Sequence, residues 1–153
     1  MSWSVGRMVL LGTLVTAPGA VRAQTAADSA GVRAAVLDYV DGIYRADTSR
    51  IVRSVRPELA KRGYFIPRGQ TVYASEPMTY QELIGVARTW NKAGKLNADM
   101  APKDIRILDL LDQTASVKLT AQWGIDYLHL ARYDGRWMIV NVLWQTRPVE
   151  KTP

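Results

Sequence analysis

Asp134-Gly135 stands between two long runs rich in β-branched and aromatic residues, and no other feature constrains the fold as strongly. An Asp-Gly pair adopts two successive positive φ angles at little cost, which is the backbone of a two-residue hairpin turn. It predicts strands over residues 125–133 and 136–146, with Tyr133 opposite Arg136 and Arg132 opposite Trp137. Counting outward, one face holds Asp126, Leu128, Leu130 and Arg132 with Trp137, Ile139, Asn141 and Leu143. The other holds Ile125, Tyr127, His129 and Ala131 with Met138, Val140, Val142 and Trp144. Both faces are rich in apolar residues. Helices of the same chain can bury one of them, and a large apolar patch is rarely left in water. The second face is therefore expected to meet a copy of itself, as a symmetric homodimer through Tyr127, His129, Met138, Val140, Val142 and Trp144.

The period of two begins further upstream. Val117, Leu119, Ala121 and Trp123 alternate with Ser116, Lys118, Thr120 and Gln122, and residues 105–111 are apolar on both faces. Before residue 104 the pattern is helical. Val32, Val36, Val40, Ile43 and Tyr44 form one stripe, which predicts a helix over residues 28–46 capped by Asp28, with Asp38 and Asp41 solvated. Residues 47–55 predict a second helix, capped by Asp47 or Thr48, and Pro57 ends or kinks what precedes it. Residues 64–66 and 71–74 are brief strand candidates around a Pro67-Arg68-Gly69 turn. Thr79-Tyr80-Gln81-Glu82 is a capping box opening a helix over residues 79–90, with Leu83, Ile84, Ala87 and Trp90 on one face. Helices followed by a four-strand meander argue an α+β domain, a curved antiparallel sheet over about three N-terminal helices.

The first residues read as an address. A short start with Arg7, an apolar run over residues 8–17, and Val21-Arg22-Ala23 match a signal peptide, residues 1–23, cleaved after Ala23. The run is well short of the ~20 residues that span a bilayer. The expectation is a periplasmic or secreted protein with no membrane attachment after cleavage. Residues 24–27 are a flexible lead-in, 28–147 a single domain and 148–153 a tail. The formal charge is +6, but Arg7 and Arg22 belong to the leader and the other bases are scattered. Nucleic acid is not an expected partner, because that role calls for a dense basic stripe. The chain has no cysteine and only His129, which removes thiol chemistry and argues against a metal site.

Two stretches carry a resemblance. The first is Arg56-Pro57-Glu58-Leu59-Ala60-Lys61-Arg62-Gly63. The second is Asp126-Tyr127-Leu128-His129-Leu130 with Asp134-Gly135-Arg136-Trp137-Met138-Ile139-Val140-Asn141-Val142-Leu143-Trp144. With the order of elements, from Ser29 to Arg147, they resemble the nuclear-transport-factor-2-like superfamily and, within it, the "putative lumazine-binding" family. Members of that family often carry a histidine where this chain has Arg56. The resemblance implies a cone whose pocket lies between the concave sheet and the helices. It also implies that the face with Trp137 and Ile139 points inward, which puts Asp126, Asn141 and Arg132 at or near the pocket. The superfamily holds isomerases, dehydratases, hydrolases, cyclases and pure binding modules, so the fold alone selects no activity.

The ligand-binding candidates are Tyr44, Tyr64 and Trp90, which can stack on a flat heterocycle, with Asp126 and Asn141. The reading that fits the scarcity of acids and bases is an exported, non-catalytic protein binding a small apolar or flat heterocyclic molecule, without a cofactor. One alternative is a cofactor-free isomerase, dehydratase or cyclase using Asp126 as its base. A second is a structural dimerisation or partner-binding module, for which the cone should be filled. His129 is three residues from Asp126 on one strand, so the two lie on opposite faces and form no catalytic pair.

Overall fold

Where the chain's period switches from helix to strand, the structure switches too. The computed structural model describes residues 18–148. Three helices, α1 (Pro18–Tyr44), α2 (Thr48–Ser54) and α3 (Tyr80–Thr89), pack on a sheet of six strands. The strands are β1 (Val55–Phe65), β2 (Ala74–Met78), β3 (Lys103–Leu110), β4 (Thr114–Ala121), β5 (Gly124–Tyr133) and β6 (Arg136–Gln145). They lie in the order β2-β1-β6-β5-β4-β3. All neighbours are antiparallel except β1 and β6, which run parallel, so the sheet is mixed rather than wholly antiparallel. The result is the α+β cone: a curved, unclosed sheet whose concave side holds the helices.

The local signals for these elements are visible. Val32, Val36, Val40, Ile43 and Tyr44 are all buried, so α1 lays its stripe on the sheet. The Asp47 carboxylate accepts from the Ser49 amide and caps α2. At α3 the Thr79 hydroxyl accepts from the Glu82 amide, and the Glu82 carboxylate accepts from the Thr79 amide at 2.6 Å. Asp134 and Gly135 have φ of 49° and 79°, the left-handed pair the hairpin requires.

Five expectations change. First, α1 begins at Pro18, so residues 24–27 are helical rather than a loose lead-in, and Asp28 lies within the helix instead of capping it. Proline suits a first helical position, where its missing N–H would be unpaired anyway. Asp28 is buried, paired with Arg132 at 3.1 Å and accepting from the Trp137 indole. The expected leader falls mostly on residues 1–17 and the tail on 149–153, which lie outside the described residues.

Second, α2 ends at Ser54, ahead of Pro57 as expected, but the strand that follows is longer than residues 64–66 and runs through the proline. β1 starts at Val55 and bulges away from β6 between Val55 and Ala60, where the missing proline N–H leaves no ladder bond broken. Third, the strand expected at residues 71–74 lies later, at Ala74–Met78. Fourth, Asp38 and Asp41 are not simply solvated. Asp38 pairs with Arg50 and Arg53, and Asp41 with Lys103 at 2.7 Å, tying α1 to α2 and β3.

The fifth change matters most. The hairpin register holds from Tyr133↔Arg136 to Leu130↔Ile139, and then β6 bulges by one residue, so that His129 faces Asn141 and Asp126 faces Trp144. A one-residue slip exchanges the faces of everything beyond it. Val142 and Trp144 turn inward, while Asn141 and Leu143 turn outward with His129 and Tyr127.

Candidate functional site

Inside the cone, residues of the three strands β1, β2 and β6 and of the β4–β5 turn meet α1 and α3 around a cavity of about 210 Å³. An apolar cavity of ~150 Å³ already admits benzene. Tyr39 and Ile43 of α1, Leu83, Val86 and Trp90 of the α3 segment, and Trp123, Trp144, Met78 and Lys61 of the sheet form its wall.

The aromatic wall is one cluster. Trp90 packs edge-on against Trp123 at 5.7 Å between ring centroids, and Tyr39 against Trp123 at 6.2 Å. Trp90 is 41% exposed and stands at the mouth. Tyr44 stacks on Trp90 at 5.8 Å from behind. Its hydroxyl donates to the Pro102 carbonyl and accepts from the Gln122 amide, so Tyr44 braces the turn that carries Trp123.

Two glycines give the tryptophans their places. Gly63 of β1 lies beside Trp144 of β6, and a Cβ at Gly63 would stand inside the indole ring. Gly124 follows Trp123 with φ of 149°, and a Cβ there would stand inside the Gln145 carbonyl oxygen.

At the inner end is the cavity's charged network. Lys61 lies on β1 in phase with Leu59 and Gly63, all three buried, so alternation carries its side chain inward. Its Nζ donates to the Tyr39 hydroxyl at 2.7 Å, and the Tyr39 hydroxyl donates to Asp126 Oδ2 at 3.0 Å. The Trp123 indole N–H donates to Asp126 Oδ1 at 2.8 Å. Asp126 and Tyr39 are fully buried. Burial raises the Asp126 carboxyl above its usual range, against the opposing pull of Lys61 and of the Trp123 and Tyr39 hydrogen bonds. Burial pushes the Lys61 ammonium down to about 8, with Asp126 acting the other way. The Tyr39 phenol is raised well above its ordinary value by burial and by Asp126 beside it.

This arrangement limits the chemistry. Asp126 does not line the cavity: it sits behind Tyr39 and Trp123 with both oxygens engaged. A direct general-base role for Asp126 has no open path to a ligand. Tyr39 has its one proton on Asp126. Lys61 is different, because an ammonium carries three protons and among the described residues it makes one hydrogen bond, to Tyr39. The Trp144 indole nitrogen, on the same wall, is buried without a hydrogen-bond partner among the described residues.

Of the candidates read from the sequence, Trp90 lines the cavity, Tyr44 and Asp126 stand one layer behind it, and Tyr64 and Asn141 are elsewhere. Tyr64 faces outward with Ala60 and Arg62, by the same alternation that takes Lys61 inward. Asn141 is turned out by the β6 bulge; its amide donates to the Ala60 carbonyl and its oxygen lies 3.1 Å from His129 Nδ1. Arg132 is held by Asp28 at the far end of the hairpin. Arg56 lies over the Tyr133 ring at 4.4 Å and pairs with Glu58, away from the cavity.

Tyr39, Lys61, Trp123 and Trp144 were missed. Tyr39 lies on the α1 stripe, four residues before Ile43, and Lys61 keeps the phase of Leu59 and Gly63, so both had a signal. Trp144 had none, because only the bulge brings it inside. No helix among the described residues is long and apolar enough to cross a membrane.

Known structures share this architecture. A nuclear-transport-factor-2-like protein of unknown function from Shewanella baltica aligns with a TM-score of 0.63 at 16% identity, over 81% of this chain and 97% of its own. One from Silicibacter pomeroyi gives 0.60 at 17% identity, over 80% and 98%. A third, from Novosphingobium aromaticivorans and described as having a cystatin-like fold, gives 0.56 at 13% identity, over 92% and 94%. No curated protein matches the sequence. The solved structures share the nuclear-transport-factor-2-like fold; the family model "Putative lumazine-binding" matches residues 27–145, nearly all of the described chain, and the protein therefore belongs to the putative lumazine-binding family.

Proposed function

We propose that this protein is an exported, non-catalytic binder of a flat aromatic or heterocyclic molecule, held between Trp90, Trp123 and Trp144. The observation that carries the reading is Lys61: one ammonium with protons to spare in the wall of an otherwise apolar cavity. Ligand sites of this kind pair apolar walls with a few placed polar groups that set orientation. A flat ligand with an oxygen or ring-nitrogen acceptor at one edge would stack on the indoles and accept from Lys61. Lys61 and Asp126 already balance each other's charge, which favours a neutral ligand over an anion, whose added charge would be buried uncompensated.

The test uses lumazine, 2-naphthol and other one- or two-ring compounds, read by melting temperature and by quenching of tryptophan fluorescence. A ligand at ~100 times its Kd stabilises the folded state by about 2.7 kcal/mol. Trp90→Ala should weaken binding about tenfold through the lost stacking. Silence from every compound in a folded sample would sink the reading.

The homodimer and the export route belong to the same proposal. Tyr127 is 45% exposed and Leu143 46% exposed on the outer face, beside His129 and Asn141. Val142 and Trp144 leave the expected interface because they turn inward, and Met138 is already buried within the chain. The proposed contact is therefore centred on Tyr127, His129, Val140 and Leu143. Chain recovered from the periplasm or medium should begin at Gln24 by mass and sediment at twice the mass of one chain. Tyr127→Glu should return it to single mass, and a wild-type chain that already sediments singly would remove the dimer.

A further inference from the structure

Among the lysines whose surroundings are described, Lys61 alone has its amine in the wall of the apolar cavity. Lys92 and Lys95 are exposed, and Lys103 is held by Asp41. Its hydrogen bonds are also ordered in one direction. The ammonium donates to the Tyr39 hydroxyl, and that hydroxyl donates onward to Asp126. Moving one proton along each bond turns ammonium, phenol and carboxylate into amine, phenol and carboxylic acid. Two buried charges disappear, no new one is made, and Tyr39 ends as it began. In a desolvated site that exchange is easy, because burial opposes both charges. The directions agree: Lys61 is pushed down to about 8 and Asp126 is raised.

The product of the exchange is a neutral amine with a free lone pair, facing a space with three tryptophans in its wall. A desolvated lysine of this kind is a nucleophile towards carbonyl carbon. We propose that Lys61 captures an aromatic aldehyde in this cavity as a reversible imine. The inference rests on the binding role assigned to the cavity above and names the ligand chemistry it would take.

The capture step balances. The Lys61 nitrogen lone pair bonds to the carbonyl carbon and the C=O π bond breaks towards oxygen. The nitrogen gives up a proton and the oxygen gains one, which yields a neutral carbinolamine. The carbinolamine then loses its hydroxyl as water, taking up a proton, and the C=N bond forms as a protonated imine that keeps the remaining nitrogen hydrogen and is balanced by the re-formed Asp126 carboxylate. Tyr39 and Asp126 hold the proton taken from the ammonium and return it to the departing hydroxyl. No oxidant or reductant is needed. The unpaired Trp144 N–H lies on the same wall as a donor for the oxygen while it carries negative charge.

The experiment treats the full chain with 2-naphthaldehyde and sodium cyanoborohydride, which fixes an imine as a stable amine, and maps the adduct by peptide mass. Label is expected on Lys61 at least about tenfold faster than on Lys92 or Lys95. Tyr39→Phe keeps the cavity and removes the relay. It should slow labelling of Lys61 about tenfold while Lys92 and Lys95 in the same sample keep their wild-type labelling rate. Equal labelling of the exposed lysines, or no label on Lys61, with 2-naphthol still quenching, overturns the imine and leaves the binding role standing. Labelling of Tyr39→Phe at the wild-type rate overturns the relay. If neither compound quenches and Lys61 stays unlabelled, both the imine and the binding role fall.

Discussion

Asp126→Ala is expected to destabilise the protein by about 3–5 kcal/mol near neutral pH, the cost of removing one partner from a buried charge network. The carboxylate is the acceptor for the Tyr39 hydroxyl and the Trp123 indole N–H, and its charge is what favours the Lys61 ammonium. Alanine leaves one buried and one half-buried donor unpaired, at up to about 1–3 kcal/mol each, and a lysine with no opposing charge. The loss should also depend on pH. Lys61 has a folded value of about 8 against 10.5 for the free side chain. Between those values the unfolded chain holds a proton that the folded chain has released, so stability from this group rises with pH. Without Asp126 the Lys61 value drops further, the window widens downward, and the penalty of the variant shrinks once Lys61 is neutral. Asp126→Asn keeps an acceptor in place and should cost less than alanine. Urea unfolding of the three proteins below and above the Lys61 value checks all of this. An alanine variant within ~0.5 kcal/mol of wild type would show that the network does not stabilise the fold.

Gly124→Ala is expected to cost about 3 kcal/mol or more, combining backbone strain with a steric clash. At φ of 149° a side chain is strained in any surroundings, and the added methyl would meet the Gln145 carbonyl, which is backbone and cannot rotate away. The damage should reach the cavity, because Gly124 links Trp123 to the start of β5. A changed tryptophan emission maximum should accompany the lower urea midpoint. Gly85 supplies the control: it lies in α3 with nothing within 4 Å of an added Cβ. Gly85→Ala should therefore be neutral or stabilising by up to about 1 kcal/mol. Equal midpoints for the two variants would remove the steric account of Gly124.

The elements that could be read from the chain are those whose signals are local. Asp134-Gly135 specified its turn through two positive φ angles, and Thr79 with Glu82 specified the start of α3 within a single turn of helix. The α1 stripe announced its buried face by spacing alone. The site was only partly legible. Asp126 keeps the inward phase of Leu128 and Leu130 because the extra residue is in β6 and its own strand is unbroken. Its separation from the cavity was not readable, since that depends on Tyr39, 87 positions away in the chain.

The bulge in β6 marks the limit. One residue beyond strict pairing moved Asn141 and Leu143 out and brought Val142 and Trp144 in, and nothing in the Ile-Val-Asn-Val run announces it. Sequence alone determined the kinds of elements, their order, the α+β class and the hairpin, because these follow from spacing and turn chemistry within a few residues. Tertiary structure decided which tryptophans wall the cavity, that Lys61 is buried rather than solvated, and that Asp126 serves the network from behind. Those outcomes depend on strand register and on burial, which are set by contacts between segments far apart in the chain.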